Sequence, residues 1–143
     1  MMYRFFTMSL THIQGRIIDE VASHPDGTSF NRLADRLKGK LSRVVLSREV
    51  RNLSRKGVLK IARDPNHRQR KIIMVENAVI NVLEKMREDR LGGRLSRRKA
   101  ARITLKYIST YRRLVEEESS QLIKDYLKYK VLQCFEKILE EVV

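Results

Sequence analysis

At 143 residues and 42% hydrophobic content, the chain has material for one compact domain with an appendage, which excludes a large multidomain enzyme. Its 31 Lys and Arg against 17 Asp and Glu give a formal net charge of +14, an excess that repels itself in a compact state and favours a phosphate-rich partner. No run approaches the roughly 18 apolar residues of a membrane span, and Met1 to Leu10 lacks the long apolar core of a secretory signal. The sole cysteine, Cys134, excludes an internal disulfide and a cysteine-based metal cluster. A cytoplasmic protein without membrane contact is expected.

Thr11 or a neighbouring polar residue can cap a first helix carrying Ile13, Ile17, Ile18 and Val21 on one stripe, ended by the turn Ser23-His24-Pro25-Asp26-Gly27. Thr28 or Ser29 caps a short second helix with Phe30, Leu33, Ala34 and Leu37 inward, and Gly39 ends it. A third helix is expected over 41–56, with Gly57 as its left-handed stop. In it Leu46, Val50 and Leu53 fall at i, i+4 and i+7 and turn inward. Arg43, Ser47, Arg48, Arg51 and Arg55 then form an outward basic ridge with a small hydroxyl in it. Three short helices, the last basic on its outer face, make a helix-turn-helix candidate.

After Gly57 the period changes. Val58, Leu59, Ile61 and Ala62 suit a short strand, Arg63 to Gln69 a polar tip centred on Asp64-Pro65-Asn66, and Lys71 to Val75 the returning strand. Pro65 would break a helix, and the β-branched flanks favour a hairpin, with Arg63, His67, Arg68 and Arg70 at its tip. From Asn77 the helical period returns through Val79, Val82, Leu83 and Met86, until Gly92-Gly93 interrupts it. Ser96 can cap a longer helix with Ala100, Ile103, Tyr107, Tyr111 and Leu114 on its inner face. The stretch Glu116 to Ser120 reads either as a junction or as continuing helix. The last helix carries Leu122, Ile123, Tyr126, Leu127, Val131, Phe135, Ile138, Leu139 and Val142, a stripe too broad for a helix lying alone on water. The fold class is therefore mainly α with a small β hairpin: a helix-turn-helix candidate with its hairpin over 1–76 and C-terminal helices over 77–143 suited to dimerisation.

Charge is clustered. Arg36 to Lys71 holds 13 basic and 2 acidic residues, and Arg87 to Arg113 holds 10 and 2, whereas Leu114 to Val143 holds 4 and 7. The basic end suits a polyanion and the acidic end suits protein. Arg97, Arg98 and Lys99 would sit in the first turn of a helix begun at Ser96, opposing its dipole by a few tenths of a kcal/mol each. A phosphate would offset that cost, so Arg97 and Arg98 are candidates for a phosphate contact secondary to the Arg36 to Lys71 stretch.

Catalytic constellations are lacking. His12, His24 and His67 have no metal-ligand spacing, Cys134 lies in an apolar helical stripe, and no glycine-rich phosphate loop occurs. No catalytic residue, metal or cofactor is expected.

The helix-turn-helix and charged hairpin over about residues 11–75 resemble the winged-helix DNA-binding fold and, more narrowly, the MarR-like transcription regulators. The resemblance is carried by the turn Leu41-Ser42-Arg43 into the third helix, the apolar-Ser-Arg step Leu46-Ser47-Arg48, and the Leu-x-x-x-Gly-apolar ending from Leu53 to Val58. Asp64-Pro65-Asn66-His67-Arg68-Gln69 follows the family's wing pattern in part, with His67 and Gln69 where a second Asp and a second Arg are usual. The resemblance implies that helix 41–56 enters the major groove of double-stranded DNA with Arg43, Ser47, Arg48 and Arg51 nearest the bases. It also implies that a wing over 63–70 brings Arg63, Arg68 and Arg70 to flanking DNA. Arginine is apt as a reader because its rigid fork donates twice to guanine. Lys38, Lys40, Arg55 and Lys60 suit phosphate positioning. A homodimer through 77–143 would set two such helices about 34 Å apart, one duplex turn, on a palindromic site. A sequence-specific transcription regulator, most simply a repressor, is the expectation. The alternatives are a nonspecific or architectural DNA-binding protein and a winged-helix module that docks an acidic protein. The family also implies a small-molecule effector, whose identity nothing in this sequence specifies.

Overall fold

A computed structural model describes residues 10–86 and 94–143, leaving aside the side chain of Arg68. The break expected at Gly92-Gly93 and the segment before Leu10 lie outside the described residues. The chain divides into two compact units, one of residues 10–80 and one that includes residues 94–143.

The first unit runs α1 (His12–Ala22), β1 (Thr28–Ser29), α2 (Phe30–Arg36), α3 (Arg43–Arg55), β2 (Leu59–Asp64) and β3 (His67–Val75). This is the winged-helix order, and the three strands form an antiparallel sheet ordered β1-β3-β2.

Thr11 starts α1 with a capping box: its hydroxyl accepts from the Gln14 backbone N–H, and the Gln14 side chain accepts from the Thr11 N–H. Ile17, Ile18 and Val21 are fully buried. Each such side chain contributes about 1.5–3 kcal/mol of burial. Ile13, expected on that stripe, is 39% exposed, and Gln14 is buried in its place. Gly27 needs its backbone at φ +100°, and a Cβ there would stand 3.1 Å from Ile72 and Met74 side-chain carbons.

Ser29 caps α2, and its neighbour Thr28 also belongs to β1, which pairs Thr28 with Ile73 and Ser29 with Ile72. Ser42 caps α3 by accepting from the Val45 N–H. At the far end the Gly57 N–H donates to Ser54 and the Val58 N–H to Leu53, with Gly57 at φ +74°. That pair of bonds is a Schellman motif, completed by the buried Leu53 and Val58. Leu46, Val50 and Leu53 are buried as the period requires, and α3 lies against α1 and β2.

The hairpin strands are longer than expected. β2 runs on to Asp64 and β3 starts at His67, leaving Pro65-Asn66 as the turn, where the Asp64 carboxylate accepts from the Asn66 N–H at 2.9 Å. The register shifts between Arg63, which faces Lys71, and Asp64, which faces His67. Arg63, His67 and Arg70 therefore stand on strands beyond the core.

From β3 the chain enters α4 (Asn77–Lys85), where Val79 and Val82 are buried. In the second unit α5 (Arg97–Glu117) and α6 (Gln121–Glu141) form a hairpin of helices. Helix α5 continues through Glu116 and Glu117, Glu118 ends it and Ser120 caps α6, so the junction is confined to 118–120. Backbone bonds from the Leu95 N–H to Glu141 and from the Val143 N–H to Leu95 clasp the start of α5 to the end of α6, making the pair antiparallel. Ala100, Ile103, Tyr107 and Leu114 of α5 are buried, as are Leu122, Ile123, Tyr126, Leu127, Val131, Cys134 and Ile138 of α6. Leu139, expected inside, is 73% exposed, whereas Asp125 is buried and accepts from the Gln121 amide at 3.0 Å.

Candidate nucleic-acid interface

The outer face of α3 is built by exclusion. With Leu46, Val50 and Leu53 committed to the core, Arg43, Val44, Ser47, Arg48, Arg51 and Arg55 turn outward, and with Phe30 and Asn52 they line an open groove of about 460 Å³. Four of these eight residues are arginines.

The arginines differ in how they are held. Arg43 lies over the Phe30 ring at 5.2 Å and donates to the Asn31 side-chain Oδ1 at 2.7 Å, which ties the start of α3 to α2. Arg51 donates to the Ser47 hydroxyl at 3.2 Å, one turn away. The Nε of Arg48 donates to Glu49 at 3.3 Å, while its side chain stays 64% exposed. Glu49 is only 13% exposed, and its other oxygen accepts from the Gln14 amide at 2.8 Å. This carboxylate joins the outer face of α3 to α1. Arg55 is exposed in the last turn, where a cation also complements the helix dipole.

Lys38 and Lys40 are exposed in the turn between α2 and α3. On the hairpin Arg63 and Arg70 are exposed, together with Lys60 and Lys71. The Arg68 side chain lies outside the described residues. The other cations of this turn and hairpin have no ion pair among the described residues, so they project unneutralised charge from the same unit as α3. Arg97 and Arg98 belong to the other unit. Both are exposed in the first turn of α5, where no acid accompanies them, and the Arg97 Nε donates to the Val143 backbone oxygen at 3.3 Å.

Nothing among the described residues assembles three or more His, Cys, Asp or Glu side chains for a metal ion. No described helix is long and apolar enough to cross a membrane. Tyr107, Tyr126 and Tyr129 are buried within the second unit, with Tyr126 and Tyr129 stacked at 6.2 Å. Tyr111 is half-buried, and its hydroxyl pKa is raised above 10.0 by burial and by the nearby Asp125 charge.

Val44, Asn31, Glu49 and Gln14 are residues of this candidate surface that the sequence reading passed over, and Phe30, expected inward, is only partly buried and lines the groove. Two had a signal. Val44 is apolar but out of phase with the Leu46-Val50-Leu53 stripe, and Gln14 is polar but in phase with Ile17, Ile18 and Val21.

No family model matches the chain, and no curated protein matches it. Solved structures do. The chain is similar in structure to MarR-family winged-helix regulators. The PcaV transcriptional regulator from Streptomyces coelicolor, in complex with its natural ligand, is 22% identical with a TM-score of 0.45, covering 70% of this chain and 62% of PcaV. The chain thus spans less than two thirds of that regulator. A mutant of S. aureus MepR bound to an oligodeoxyribonucleotide is 20% identical over 90% of this chain and 80% of MepR, with a TM-score of 0.47. The transcriptional regulator SlyA is 17% identical over 92% of this chain and 79% of its own, at 0.46.

Proposed function

We propose that this chain is a sequence-specific double-stranded DNA-binding transcription regulator that reads the major groove with α3 and acts as a repressor by occupying promoter DNA. The observation that carries the reading is the two-sided build of α3. One side is locked into the core by Leu46, Val50 and Leu53, and the other offers Arg43, Ser47, Arg48, Arg51 and Arg55 on one open groove. A convex helix of that kind fits the major groove, where arginine forks meet guanine.

The remaining cations take supporting roles. Lys38 and Lys40 lie on the phosphates beside α3, and the wing brings Arg63, Arg68 and Arg70 to the flanking backbone or minor groove. Arg97 and Arg98 make a secondary phosphate contact. Residues 77–143 hold two copies together, and exposed Leu105 and Ile108 on α5 and Leu132 and Leu139 on α6 supply the apolar surface for it.

Selection of bound duplexes from a random library tests the reading. An enriched sequence bound at least about 10³-fold more tightly than unrelated duplex is the expected outcome. Equal binding of all duplexes would make the protein architectural, and retained binding after Arg48→Glu would remove α3 from the interface. Sedimentation of the chain should show a dimer that Leu132→Glu with Leu139→Glu converts to monomer. Reporter transcription from a promoter carrying the enriched sequence should fall when the protein is present.

A further inference from the structure

Val44 is the most exposed large hydrophobic side chain among the described residues, at 78%. It stands inside the arginine-lined groove and takes no part in the core stripe. Folding gives it no reason to be there, because a β-branched residue at an exposed helical position is a poorer helix former than Ala, Lys or Arg. The major groove does give a reason: the C5-methyl of thymine is the one apolar group on its floor, and small apolar side chains recognise it.

Arg48 follows one turn later on the same face. Its orientation is set by a chain of bonds in which every atom has one role. The Gln14 amide oxygen accepts from the Thr11 N–H, so the amide nitrogen is left to donate to Glu49, and the second Glu49 oxygen accepts from the Arg48 Nε. With Nε held, the two terminal nitrogens of Arg48 remain as the paired donors that fit guanine O6 and N7. Side chains at i and i+4 have Cβ atoms about 5–6 Å apart, so Val44 and the longer Arg48 reach groups on neighbouring base pairs.

We propose that Val44 and Arg48 form a paired reader of a thymine methyl and a guanine edge in neighbouring base pairs, with Glu49, anchored by Gln14, as the positioning residue for Arg48. The proposal rests on the reading of α3 as the major-groove helix, and the experiment separates the two.

The full chain is titrated against the library-selected duplex with each thymine replaced singly by deoxyuridine and each guanine by 7-deazaguanine. One uracil should weaken wild type about 4-fold, the worth of burying one methyl group. Val44→Ala should lose the same factor on the thymine duplex and nothing more on the uracil duplex. One 7-deazaguanine next to that thymine should weaken wild type about 10-fold and leave Arg48→Ala indifferent. Glu49→Gln should reduce the 7-deazaguanine penalty while the uracil penalty read by Val44 stays as in wild type, a split that a merely structural role would not produce. If an enriched duplex is bound but no uracil weakens binding, or Val44→Ala still senses the uracil, the paired reader is refuted while α3 recognition stands. If no duplex is enriched, both readings fall.

Discussion

Replacing Lys38 and Lys40 with alanine removes two cations from the turn between α2 and α3 and little else. Both side chains are exposed, neither has an ion pair among the described residues, and the turn's backbone is held by Gly39 at φ +85° and by the Lys40 and Leu41 N–H bonds to Leu37. If each lysine neutralises one phosphate, the slope of log affinity against log salt becomes shallower by about 0.9 per lysine, or about 1.8 for the pair. Between 50 and 200 mM salt, a fourfold rise, the double variant should therefore lose about 12-fold less affinity than wild type. Fluorescence anisotropy on a labelled duplex at several salt concentrations measures the slope directly. The ratio of specific to nonspecific affinity should stay unchanged, because phosphate contacts position the protein without reading sequence. An unaltered slope would refute the placement of this turn on the DNA backbone, and a collapse of the specificity ratio would move the lysines to the bases.

Other outcomes follow from burial, backbone and titration. Leu53→Ala removes a fully buried side chain where α3 meets its Schellman cap and should cost about 2–5 kcal/mol in chemical denaturation, with DNA binding lost in parallel. Gly57→Ala should cost only about 1–2 kcal/mol, since a Cβ there meets nothing within 4 Å and the penalty is the left-handed backbone alone. Gly27→Ala adds contacts at 3.1 Å with Ile72 and Met74, so its melting temperature should fall further than that of Gly57→Ala. The raised Tyr111 pKa means that the unfolded chain releases this proton first as pH rises. Its contribution to stability is therefore complete below pH 10.0 and is lost as pH climbs from there through the folded pKa. Melting temperature followed from pH 8 to 11 should fall less steeply in Tyr111→Phe.

What could be read from sequence follows from range. α3 was legible because its signals are local: Ser42 before it, Leu46, Val50 and Leu53 within it, Gly57 after it. β1 was not, because Thr28 and Ser29 also suit helix caps and become a strand only by pairing with Ile73 and Ile72 more than 40 residues on. The hairpin was placed but drawn too short, since its outer half carries Arg63, His67 and Arg70 and has no apolar alternation to mark it. Within the candidate interface, the outward arginines of α3 follow from helical period alone. The bond that orients one of them spans 35 residues, from Gln14 to Glu49, and no local pattern reports it.

Val58 serves two elements at once, since its N–H closes the end of α3 on Leu53 and its carbonyl accepts from Glu76 just past β3 at 2.9 Å. One residue thus joins the end of α3 to the root of the hairpin. A duplex that engages both must present its two contact zones at a fixed interval, and one inserted base pair would turn the second zone away by about a tenth of a revolution.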